Sequence, residues 1–136
     1  MRRLIGPDRI TLWGNSLGTG VATEMAFRGH GSRLILQAPF TSIPDVAMTV
    51  APFLPLRAIM KDRFASLEKA PFIQLPTLIV HGDADGVVPY RMGRRLSERF
   101  AHATLHTVPG GGHSDLYLRD PTLLDRIAAF AAATDG

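Results

Sequence analysis

Four residues in this chain have the types needed for joint covalent chemistry: Ser16, Asp83, Asp85 and His113. A serine hydroxyl is a weak nucleophile until a base takes its proton. A neutral imidazole can be that base, and a carboxylate fixes its tautomer and stabilises the imidazolium that forms. Ser16 stands in Gly14-Asn15-Ser16-Leu17-Gly18, after the apolar run Ile10-Thr11-Leu12-Trp13 and before an amphipathic segment, Leu17 to Arg28. This reads as strand, sharp turn and helix, with the serine at the apex. Such a turn strains the serine backbone. Side chains two residues either side are expected to collide, which accounts for both glycines. The helix points its N-terminus back at the serine, so the Leu17 N–H can face an oxyanion.

The other candidates also follow apolar runs. Thr77-Leu78-Ile79-Val80-His81 reads as a strand and is followed by Gly82-Asp83-Ala84-Asp85-Gly86. Ala103 to Val108 reads as another strand, followed by Pro109-Gly110-Gly111-Gly112-His113. With Ile10 to Gly14 and Arg33 to Ala38, this makes four strands alternating with helical patterns. The expected fold class is α/β, a mostly parallel sheet with right-handed crossovers and helices on both faces. In such sheets ligands bind beyond the carboxyl ends of the strands, where the serine, the aspartates and the histidine all lie.

The helices are expected to pack as follows. In the first, Leu17, Val21 and Met25 lie at helical spacing with Ala22 and Ala26, opposite Thr19, Thr23, Glu24 and Arg28. Gly29-His30-Gly31 ends it. In the third, Met92, Leu96 and Phe100 face inward, and Arg91, Arg94, Arg95, Glu98 and Arg99 face water. In the last, capped by Asp120-Pro121, the inward set is Leu123, Leu124, Ile127, Phe130 and Ala131. The whole chain, 1–136, reads as one domain, with residues 39–75 as a small irregular, cap-like insertion. Prolines punctuate that insertion, so only short helices are expected, at Asp45 to Val50 and Leu56 to Met60.

Composition narrows the functional classes. The net charge is +3 and the arginines are scattered, so nucleic-acid binding is not suggested. There are no cysteines, which excludes disulfides and thiolate metal sites. Asp83-x-Asp85-Gly86 lacks the glutamate that a calcium loop requires, so no metal site is expected. No apolar run reads as a secretory signal or is long enough for a membrane-spanning helix. His81 reads as a hydrogen-bonded core histidine. His30, His102 and His106 show no partner pattern, and Asp115 reads as local turn or helix-start chemistry.

The blocks LWGNSLGTGVA, PFTSIPDVA, KDRFASLEK, PTLIVHGDADGVVP and VPGGGHSDLY together resemble consecutive segments of the alpha/beta-hydrolase superfamily. The branch they resemble is the ABHD-type serine hydrolases related to bud-emergence proteins, with prolyl-oligopeptidase-like hydrolases nearby. The resemblance runs from about Arg9 to the last helix. It implies Ser16 as nucleophile, Asp85 as acid, His113 as base and the Leu17 backbone as one oxyanion donor. Asp83 is the alternative acid, or else an Asx-type turn former. It also implies hydrolysis of ester or thioester bonds in small acyl substrates, without a metal or organic cofactor.

The family's full sheet resembles an eight-stranded one with the elbow after its fifth strand. The chain is therefore expected to hold the C-terminal four strands. The loop that gives the second oxyanion donor is not found before Gly14. A catalytically weak interaction domain and a prolyl-oligopeptidase-type aminopeptidase are the rival readings. Self-association through an exposed strand at Ile10 to Trp13 is a further expectation.

Overall fold

A computed structural model of the chain describes residues 10–42 and 65–133. The short helices expected at 45–50 and 56–60, and most of the 39–75 insertion, lie outside the described residues.

The described elements are β1 (Thr11–Asn15), α1 (Leu17–Phe27), β2 (Arg33–Gln37), α2 (Ser66–Lys69), a 3-10 turn (Ala70–Phe72), β3 (Thr77–Gly82), α3 (Tyr90–Ser97), β4 (Ala103–Val108), α4 (Leu116–Arg119) and α5 (Leu123–Ala132). The four strands form one sheet in the order β1-β2-β3-β4. All three pairings are parallel, in registers such as Leu12 with Leu34, Leu36 with Ile79 and Val80 with His106. Each strand therefore ends at the same edge of the sheet, and the loops carrying Ser16, Asp85 and His113 leave from that edge.

Alternation along the strands divides the core. Leu34, Leu36 and Ile79 pack with Ala22 and Ala26 of α1, Ala70 of the 3-10 turn and Leu96 of α3. Ile35, Leu78 and Val80 pack on the opposite side with Leu116 of α4 and Leu123 and Ile127 of α5. Both β2 and β3 are buried along their full length, as expected for central strands covered on both faces. Each Leu or Ile so placed contributes roughly 1.5–3 kcal/mol relative to an exposed one. β1 is the edge strand on one side, and Trp13 is half exposed there.

Helix α1 buries Ala22 and Ala26 as its spacing predicts, but its inward face is rotated towards the small residues beside them. Leu17, Val21 and Met25 are exposed, whereas Thr19, Gly20, Ala22, Thr23 and Ala26 are buried. The buried set is uniformly small, which lets the helix axis approach β1 closely. The Thr19 hydroxyl can be buried because it donates to the Ser16 carbonyl at 2.6 Å. Thr23 Oγ1 has no hydrogen-bond partner among the described residues. In α5, Leu123 and Ile127 are buried, but Leu124 and Ala131 point outward. Leu124 is one residue round the helix from Leu123, too far to share the same narrow stripe. In α3 the expected division holds: Met92 and Leu96 are buried, as is Phe100 just beyond the helix, and the four arginines and Glu98 are exposed.

Candidate active site

The elbow is built by β1, one residue and α1. Ser16 has φ 54° and ψ −117°, a conformation that costs a non-glycine residue on the order of 1–3 kcal/mol. It is held by backbone bonds on both sides. Its N–H donates to the Gln37 carbonyl at 2.9 Å, and its carbonyl accepts from the Thr19 N–H at 2.9 Å. The expectation for the two glycines is only half met. A Cβ on Gly14 would lie 2.4 Å from the Gly18 carbonyl oxygen and 2.8 Å from Thr19 Cα. A Cβ on Gly18 would meet open space, because Gly18 offers its carbonyl to the close contact and not its Cα face. Leu17 is the first residue of α1, so its N–H belongs to the helical turn that lacks intrahelical acceptors.

The acid and the base reach each other because the loops after β3 and β4 are laced together. Asp83 Oδ1 accepts from the Gly110 N–H at 2.7 Å, and the Ala84 N–H donates to the Gly111 carbonyl at 2.9 Å. Gly82 must be glycine for this approach, since a Cβ there would sit 2.1 Å from the Gly111 oxygen. Asp83 is thus a brace between the two loops, which differs from the local Asx turn considered for it. The Asx-type turn belongs instead to Asp85, whose Oδ1 accepts from the Val87 and Val88 N–H groups, each at 2.8 Å.

That arrangement leaves Asp85 Oδ2 for His113, whose Nδ1 is 2.9 Å away. The Asp85 carboxylate is fully buried and the His113 side chain is 21% exposed. Two backbone N–H groups thus hold one carboxylate oxygen in place, and the other is left to accept from the imidazole. The imidazole must then carry a proton on Nδ1, which frees Nε2 to accept one. His113 itself is positioned by the turn that follows. Asp115 Oδ1 accepts from the Gly112 N–H at 2.6 Å, and Asp115 Oδ2 pairs with Arg119 at 3.2 Å. These bonds hold the Asp115 carboxyl below its ordinary range, the backbone bond from Gly112 contributing most. This is the local turn role expected of it; its side chain makes no capping bond to α4.

The fold therefore brings Asp85 and His113 into contact, and Asp83 supports them from outside the pair. Ser16 lies at the same edge of the sheet, but its hydroxyl makes no hydrogen bond to His113 among the described residues. A cavity of about 310 Å³ opens at that edge, lined by Asn15, Gln37, His113, Ser114, Leu116 and Tyr117. Gln37 in its wall accepts from Trp13 Nε1 at 2.6 Å and from the Tyr117 hydroxyl at 3.1 Å. The sequence gives no cue to this trio, because its members are far apart in the chain and only the register unites them. His106 departs from its expected lack of a partner: its Nε2 is 2.8 Å from Asp120 Oδ2, and this bond is the main cause of the lowered Asp120 carboxyl. His81 is fully buried and bonded to the Val88 carbonyl at 2.8 Å, as a core histidine should be. Among the described residues no group of three or more His, Asp or Glu side chains could hold a metal ion. No described helix is long and apolar enough to cross a membrane.

Comparison with known proteins places the fold in a family. Residues 59–120 match the family described as the alpha/beta hydrolase fold. An uncharacterised protein of Mycobacterium tuberculosis is 36% identical over 132 residues, covering 96% of this chain and 47% of that protein. Lysophosphatidylserine lipase ABHD12 of Danio rerio is 38% identical over 121 residues, covering 76% of this chain and 32% of the lipase. The chain thus spans about half the length, or less, of these curated relatives. Among solved structures, MGS-M2, an alpha/beta hydrolase enzyme from a deep-sea metagenome library, superposes with a TM-score of 0.74 at 15% identity. It covers 99% of this chain and 69% of that one. An esterase from Exiguobacterium antarcticum superposes with a TM-score of 0.67 at 18% identity, covering 92% of this chain and 67% of that one. With the four-stranded parallel sheet, the strained serine turn and these matches together, the chain belongs to the alpha/beta-hydrolase superfamily.

Proposed function

We propose that the chain carries the catalytic groups of a serine hydrolase acting on ester or thioester bonds. Ser16 attacks the acyl carbonyl, His113 Nε2 takes its proton, and Asp85 holds the His113 tautomer. The Leu17 N–H faces the oxyanion. The leaving alcohol or thiol departs with the proton from His113, and water then attacks the acyl-serine with His113 as base. The observation that carries this reading is the buried Asp85 carboxylate on His113 Nδ1 at 2.9 Å, at the same sheet edge as a serine with φ 54°. A buried carboxylate–imidazole pair at the same sheet edge as a strained serine supports a functional reading of all three.

The substrate class is a lipid-like acyl ester. Two observations support it: the relative named as a lysophosphatidylserine lipase, and the largely uncharged stretch 46–60. The peptidase alternative requires acidic groups to grip a substrate amine, and among the described residues no acidic side chain lines the cavity beside His113. The test is turnover of a series of acyl esters, acyl thioesters and dipeptide amides by the chain and by Ser16→Ala. Ester turnover that is lost in the variant supports the proposal. Faster cleavage of the dipeptide amides would favour the peptidase, and turnover equal in both proteins would remove Ser16 from the chemistry.

A further inference from the structure

His81 is a buried titratable group that the proposed reaction does not use, and its ring is constrained on every side. Its Nε2 lies 2.8 Å from the Val88 carbonyl oxygen. A carbonyl only accepts, so Nε2 carries the proton. Its Nδ1 is buried without a hydrogen-bond partner. That nitrogen faces Gly93 of α3, where an added Cβ would stand 2.3 Å away. The Tyr90 ring stands edge-on to the imidazole, with centroids 5.8 Å apart and planes at 87°. A proton on Nδ1 would be buried with no acceptor, so the ring stays neutral. Burial is the main cause holding its pKa below the ordinary histidine value, against the Val88 bond and Asp85, which raise it.

The same Nε2 is 3.5 Å from Asp85 Oδ2. That is the oxygen on which His113 Nδ1 rests. The Val88 residue that accepts from His81 also donates its N–H to Asp85 Oδ1. His81 therefore touches both ends of the Asp85 turn, through the Val88 carbonyl on one side and the Asp85 carboxylate on the other. The Nε2–H is given to the Val88 carbonyl, and at 3.5 Å the second contact is an electrostatic one between the polar N–H end of the ring and the carboxylate oxygen.

We propose that His81 is a positioning residue for the Asp85–His113 pair: its Nε2, bound to the Val88 carbonyl and 3.5 Å from Asp85 Oδ2, keeps that oxygen aligned with His113. The inference rests on reading Asp85 and His113 as acid and base. It adds a residue that acts only through them. It also accounts for Gly93, whose missing side chain is the space the ring occupies.

Two substitutions separate positioning from packing. In His81→Gln the side-chain amide extends as far as Nε2 and keeps a donor there. In His81→Asn the amide is too short to reach Val88 or Asp85. Asparagine also leaves the larger gap at this buried site, so packing damage is read separately, as the Tm shift of each variant, and positioning is read from the resonance and the kinetics. The readouts are the low-field proton resonance of His113 Nδ1–H in the full chain, identified by its loss in His113→Ala, and the kinetics of ester turnover. Positioning predicts that the resonance is present in the wild type and in His81→Gln and lost in His81→Asn. It predicts kcat/KM down by about ten- to a hundredfold in His81→Asn at unchanged KM, with His81→Gln within a fewfold of wild type. Equal loss in both variants, no loss in His81→Asn, or no resonance in the wild type overturns the proposal. Should the wild type turn over no ester, the hydrolase reading fails while the resonance still decides the role of His81. Should neither variant fold, the ¹⁵N spectrum of the wild type at pH 7 decides: a neutral His81 protonated on Nε2 supports the proposal, and a proton on Nδ1 overturns it.

Discussion

Asp85→Asn is expected to cut ester turnover by about ten-thousandfold while leaving the fold standing, the loss known for a triad aspartate changed to its amide. The size follows from which atoms can exchange places. Asp85 Oδ1 accepts two backbone N–H groups, from Val87 and Val88. Those donors require an oxygen, so the asparagine must place its carbonyl there and its NH₂ group where Oδ2 was. That NH₂ then faces His113 Nδ1 across 2.9 Å. Two donors cannot share that contact, so the imidazole proton moves to Nε2. Nε2 is the nitrogen that must accept the Ser16 proton, and it is no longer able to. The Asx turn keeps both of its bonds, so the melting temperature moves little. A variant that keeps turnover within about tenfold of wild type would mean that His113 does not depend on Asp85 for its tautomer.

The second large effect is on stability and divides the two elbow glycines. Gly14→Ala drives a methyl to 2.4 Å from the Gly18 carbonyl oxygen and 2.8 Å from Thr19 Cα. Both targets are backbone of the first turn of α1, which the Ser16 bonds to Gln37 and Thr19 already fix against the end of β1. Nothing there can yield by a side-chain rotation. The expected cost is about 3 kcal/mol or more, at the upper end for overpacking. That lowers Tm by on the order of 10 °C. Gly18→Ala adds a methyl in open space within a helix, and alanine is favoured there by up to about 1 kcal/mol. Thermal melts of the two variants side by side should move in opposite directions. Equal destabilisation would show that the elbow needs glycine at both places for reasons other than the contacts described.

The strands were legible from residue types alone. Apolar runs of five or six residues ending in glycine or proline marked β1 to β4 within a residue or two, most plainly β2 and β3, which are buried along their full length and tolerate little else. Residue types left Asp83 and Asp85 both open after β3, and only the family resemblance singled out Asp85, the one whose carboxylate meets His113. What the chain did not reveal depends on contacts between distant segments. The α1 face was misread because hydropathy ranks Leu17, Val21 and Met25 above Thr19 and Thr23. Close approach to β1 selects for small side chains, and the Thr19 hydroxyl is satisfied locally. Gly18 was misread because symmetry of the motif suggested a symmetric collision, whereas the contact runs from the Gly14 Cα to the Gly18 carbonyl. The Asp83 brace, the His106–Asp120 pair and the Gln37–Trp13–Tyr117 cluster each join residues between 14 and 80 positions apart. No local pattern marks them.

The central claim is that Ser16 is an activated nucleophile, and intact mass after treatment with a fluorophosphonate tests it most directly. Such a probe requires a serine whose proton is taken by a base and whose attack is supported by an oxyanion donor. The account predicts one adduct per chain, carried on Ser16, abolished in Ser16→Ala and strongly slowed in Asp85→Asn. An unmodified wild-type chain, or an adduct that persists in Ser16→Ala, would contradict it.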